Sequence, residues 1–86
     1  MKSSDLLKKH FSQILRTKRA ELNLTMGKMS EICGISSRTY EDLEHGKRLP
    51  EFATLINISV KFKIDLNAYI ALITEQGYIV TDKNAQ

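Results

Sequence analysis

Residues Leu24–Arg48 read LTMGKMSEICGISSRTYEDLEHGKR, and the spacing within this stretch decides the fold. Thr25 is suited to cap a helix of about two turns, because its hydroxyl oxygen can accept from an unpaired first-turn N–H. Met29, Ile32 and Cys33 give that helix its apolar face. Gly27 inside it costs roughly 1 kcal/mol relative to Ala. Gly34 ends the helix, since Gly takes a positive φ without a Cβ penalty. Ile35 then fills the turn, and Ser36 caps a further helix over 37–45 whose inward residues are Tyr40 and Leu43. Gly46 stops it. Two short helices that cross at a tight turn need a small residue at the crossing, a Gly in the turn, an apolar plug after it, and apolar residues that fix the second helix on a core. Ser30, Gly34, Ile35, Tyr40 and Leu43 supply these in order, with Met29 beside the crossing.

Working outward, the pattern stays helical. Upstream, Leu7, Phe11, Ile14 or Leu15, and Leu22 recur on one face of an amphipathic helix. Ser3 or Ser4 can cap it, Asp5 suits its first turn, and Asn23 sits where the chain must turn. Downstream, Lys47–Pro50 is a connector, with Pro50 suited to open a helix over 51–62. The inward set of that helix is Phe52, Leu55, Ile56, Ile58 or Ser59, and Phe62. Asp65 caps a fifth helix over 66–75, with Leu66, Tyr69, Ile70 and Ile73 inward, and Gly77 ends it. Tyr78–Thr81 is β-prone, but four residues alone form no sheet. It is either a tail or a short strand that pairs elsewhere. The expected organisation is an all-α, five-helix domain over residues 1–75 followed by a tail over 76–86.

The chain has 86 residues, 42% hydrophobic and 27% charged, which allows one soluble domain with a small core. Its longest apolar run, Ala68 to Ile73, is far short of the ~18 residues of a spanning helix, and Met1–Asp5 does not begin a signal peptide. The single cysteine excludes an internal disulfide, so a cytoplasmic location is expected. The net charge is +3, but residues 1–23 carry +4, residues 24–50 carry zero and residues 51–86 carry −1. A polyanionic partner fits the sign of the total, while the charge sits on the first helix.

The helix–turn–helix order of Leu24–Arg48 resembles the phage-repressor (Cro/CI, or XRE) family of lambda-repressor-like DNA-binding domains. The likeness runs without a gap from about Phe11 to Ile70. It is carried most strongly by Ile35–Ser36–Ser37–Arg38–Thr39–Tyr40, by Leu43–Glu44–His45–Gly46–Lys47–Arg48, and by Pro50. The resemblance implies a regulator of transcription, in the repressor role, whose third helix enters the major groove of double-stranded DNA. On its pattern Ser37, Arg38, Glu41 and Asp42 contact bases, with Arg38 suited to guanine O6 and N7. Thr25, Lys28, Ser36, Thr39, His45, Lys47 and Arg48 match backbone-contacting positions. Arg19 and Glu44 match a structural salt bridge. One reading helix specifies few base pairs, so a homodimer on a palindromic or pseudo-palindromic operator is expected. Its interface is expected at Tyr69, Ile73, Tyr78, Ile79 and Val80. The chain departs from the family pattern at Met26, where Gln is usual, and at Gly27 and Lys28, where Glu is common.

Other readings of these residues are plainer. Cys33 is a core thiol. His10 and His45 lack ligand spacing, so no metal and no cofactor are expected. Lys8, Lys9, Arg16 and Lys18 form a basic face that either meets phosphate or is simply solvated. No nucleophile–base pair or phosphate loop can be assembled, so an enzyme is not expected. The rival function is a protein–protein module or an antitoxin that keeps the fold, since residues 36–48 sum to zero charge. No membrane partner is expected.

Overall fold

The computed structural model describes residues 3–77. Five helices follow one another: α1 (Ser3–Leu22), α2 (Met26–Cys33), α3 (Ser37–Glu44), α4 (Phe52–Phe62) and α5 (Leu66–Glu75). No strand occurs among the described residues, and Tyr78–Thr81 lies outside them. The short-range signals explain the boundaries. The Thr25 hydroxyl accepts from Lys28 N–H, that of Ser36 from Thr39 N–H, and the Asp65 carboxylate from Ala68 N–H. Gly34 closes α2 in the left-handed conformation at φ 72°, and Asn23 turns the chain after α1 at φ 55°. Pro50 stands before the N-cap Glu51 rather than inside the first turn of α4.

The inward faces meet in one cluster of Phe11, Leu15, Met29, Cys33, Tyr40, Leu43, Ile58 and Phe62. Each large apolar member contributes about 1.5–3 kcal/mol by leaving water. α3 packs on both α1 and α2, α2 also meets α4, and α5 runs against α1. Ser30, the small residue at the crossing, is buried and donates its hydroxyl to the Gly27 carbonyl at 2.7 Å.

Several apolar residues expected inward are exposed. Phe52 is 77% exposed, and Ile56, Ile70 and Leu22 are each about half exposed. The buried residues of α4, Ile58, Ser59 and Phe62, all lie in its second half, and in its first turn only Leu55 packs against the core. α5 has a single fully buried residue, Ile73, and Ile70 faces outward.

Candidate nucleic-acid interface

α3 is divided lengthwise. Tyr40, Leu43 and Glu44 face the core, while Ser37 and Arg38 are exposed and Glu41 and Asp42 are half-buried beside them. The inward side is locked by an ion pair. Arg19 Nε donates to both Glu44 carboxylate oxygens at 3.1 and 2.9 Å, and its Nη2 donates to Oε1 at 2.7 Å. Glu44 is 2% exposed. Burial alone would raise its pKa, but the hydrogen bonds and charge of Arg19, with the Tyr40 hydroxyl adjacent, outweigh that and hold it below the usual carboxylate value. The Tyr40 hydroxyl is buried and completes no hydrogen bond of good geometry. Burial, then the neighbouring Glu44 carboxylate, keeps this phenol protonated. Burial likewise raises the Cys33 thiol to about 11.

Two braces have no counterpart in the sequence reading. Arg16 Nη1 donates to the Glu44 carbonyl at 2.8 Å, so a side chain of the basic α1 face holds the end of α3. Lys61 Nζ donates to the Ile32 carbonyl at 2.7 Å, tying α4 to the end of α2. A cation near a helix C-terminus satisfies orphan carbonyls and the helix dipole. The only advance signal for Arg16 is its place one turn before Arg19, on the same face.

On the outer side, the residues expected at the DNA backbone fall into three groups. Ser36 and Thr39 lie with Arg48 around a shallow hollow of about 350 Å³ whose floor includes Ile35 and Leu43. The Ser36 hydroxyl donates to Thr39 Oγ1 at 2.9 Å, which leaves the Thr39 hydroxyl proton directed elsewhere. Thr25 and Lys28 belong to the first turn of α2, joined by the capping bond at 3.1 Å. Lys28 also pairs with Glu31 at 3.7 Å on the surface. His45 is the exposed C-cap of α3, and Lys47 follows it in the connector. Arg38 pairs with Asp42 at 3.6 Å.

The residues expected at a dimer contact are placed differently. Ile73 is 4% exposed and is buried within the chain itself. Tyr69 is half-buried. Its hydroxyl donates to the Leu7 carbonyl at 2.9 Å and its ring meets Phe11 edge-on. The outward apolar residues of α5 are Ile70 and Leu72 instead. Tyr78, Ile79 and Val80 lie outside the described residues. Among the described residues no three His, Cys, Asp or Glu side chains gather in a metal-binding group, and no helix is long and apolar enough to cross a membrane.

A family model described as a helix-turn-helix domain matches residues 13–75. No curated protein and no solved structure matches the chain.

Proposed function

Because the chain belongs to the helix-turn-helix domain family, as the match over residues 13–75 shows, we propose that it is a sequence-specific DNA-binding regulator of transcription that acts as a repressor. The observation that carries this reading is the division of α3. Its inward side is fixed by Tyr40, Leu43 and the Arg19–Glu44 pair, while Ser37 at its start and Arg38 on its outer side are exposed to solvent. A helix so held can enter a major groove as a rigid body. Ser37, Arg38 and Glu41 then face base edges, with Asp42 beside them. Ser36, Thr39 and Arg48 meet one stretch of phosphates, Thr25 and Lys28 another, and His45 and Lys47 complete the backbone contacts.

The protein acts as a homodimer on a palindromic or pseudo-palindromic operator, with half-sites about 34 Å apart. Ile70 is an outward apolar residue of α5, and Tyr78–Val80 follow that helix in sequence. Selection of bound duplexes from a random pool tests the function, and an enriched two-fold motif is expected. Removal of residues 76–86 tests the assembly, with the mass in solution falling to that of one chain; an unchanged dimer would discard the tail's part in it.

One observation favours a second reading, a protein–protein module or antitoxin. Phe52 is 77% and Val60 71% exposed on α4, an apolar stripe of the kind that meets protein partners. No binding to any duplex at low salt would select it.

A further inference from the structure

Arg38 and Asp42 stand four residues apart on α3, so their side chains share a face. Arg38 Nε lies 3.6 Å from Asp42 Oδ1. The Arg38 side chain is 83% exposed and that of Asp42 only 22%. One partner is an arm in solvent, and the other is an anchor set against the helix. A guanidinium carries five N–H donors in a planar fork. The carboxylate faces the inner donor, Nε. The outer edge of the fork carries the Nη1 and Nη2 donors, and two parallel donors are what guanine O6 and N7 require. The carboxylate and a guanine can therefore be met at once, by different edges of one side chain.

The charge balance points the same way. A carboxylate on a DNA-facing surface weakens attraction to phosphates. A carboxylate can read a base only by accepting from an amino group, of cytosine N4 or adenine N6, and Asp42 Oδ1 is already turned to Arg38. An exposed ion pair is weak in water, but it strengthens when a groove closes over it and excludes solvent.

We infer that Asp42 is a positioning residue for Arg38. It holds the guanidinium through Nε so that the outer fork meets guanine, and it raises sequence discrimination while lowering overall affinity. The inference rests on the DNA-reading function proposed above and makes Asp42 a brace rather than an independent base reader.

The test compares the full chain with its Arg38→Ala, Asp42→Ala, Asp42→Asn and double variants. Each is checked for a cooperative thermal melt, then used to select duplexes from a random pool. Binding is measured on the winning duplex, on unrelated DNA, and on a duplex altered at the base pair that Arg38→Ala relaxes. The unmodified chain should discriminate roughly 5- to 150-fold at that base pair. Asp42→Ala should lose most of this at the same base pair while binding unrelated DNA more tightly. Asp42→Asn keeps an acceptor without the charge and should fall between. In the Arg38→Ala background, Asp42→Ala should change nothing further at that position. Unchanged discrimination in Asp42→Ala overturns the inference and leaves the DNA-reading function standing. So does a loss at a different base pair, which would make Asp42 a reader in its own right. If the unmodified chain enriches no motif, the DNA-reading function falls and the brace with it.

Discussion

Glu44 carries a carboxylate into a site that is 2% exposed, and Arg19 makes this tolerable by meeting both of its oxygens. The two partners are not equivalent, because the Arg19 side chain is one-third exposed and can reach water when left alone. Arg19→Ala strands a buried charge and should cost about 3 kcal/mol. Glu44→Gln fills the same space without the charge and should cost less, about 1–2 kcal/mol. Urea denaturation measures both, and equal losses would show that the burial asymmetry is immaterial. The pair also sets an acid limit. The folded-state pKa of Glu44 lies below its ordinary value of 4.5, so the folded protein binds fewer protons than the unfolded chain. Its contribution is complete above the unfolded value and is lost as pH falls through the folded one. Stability measured downward from neutral pH should decline below about pH 4.5, and Glu44→Gln should flatten that decline. Cys33 gives an independent probe of the same core. A buried thiol with its pKa raised to about 11 stays protonated at pH 8, and the thiolate is the reactive form. A disulfide reagent should label it only after denaturant is added, and prompt labelling of the native protein would contradict its burial.

The helix-turn-helix element tests how local geometry fixes the fold. Gly34 has φ +72°, and a Cβ there would meet nothing within 4 Å. Gly34→Ala should therefore cost only the left-handed backbone penalty, about 1–2 kcal/mol. Gly27 is helical and its Cβ would find only Thr25 Oγ1 at 3.9 Å. Gly27→Ala should stabilise by about 0.5–1 kcal/mol. Opposite signs for these two changes in thermal melts are the expected result. The same element shows what sequence can disclose. Thr25, Ser36 and Asp65 are legible as caps because each bond closes within three residues. The outer face of α3 is legible because Tyr40 and Leu43 fix which side is inward. The exposure of Phe52 is not, since periodicity marks a stripe but not how much of it a neighbour covers. Arg16 and Lys61 are not either, because their carbonyl partners lie 28 and 29 residues away.

For the whole molecule, net charge is a poor guide to how DNA would be held. The sequence carries +3, yet Arg16, on the basic face of α1, is turned to the Glu44 carbonyl. In the function proposed above, the cations on the reading side are Lys28, Arg38, Lys47 and Arg48, and Arg38 is directed at a base rather than a phosphate. Three phosphate-directed cations per protomer release about six counterions from a dimer site, which gives a slope of log affinity against log salt near −5. Lys47→Ala removes one cation from each protomer and should reduce the slope by about 2, with little change in sequence preference. Arg38→Ala should do the reverse, relaxing one base pair in each half-site and leaving the slope nearly unchanged. Equilibrium binding across 50–200 mM salt, a range in which this term is large, separates the two. A slope nearer −10 would place the α1 lysines at the DNA, and the Lys8→Ala and Lys9→Ala variants would then lower it as Lys47→Ala does.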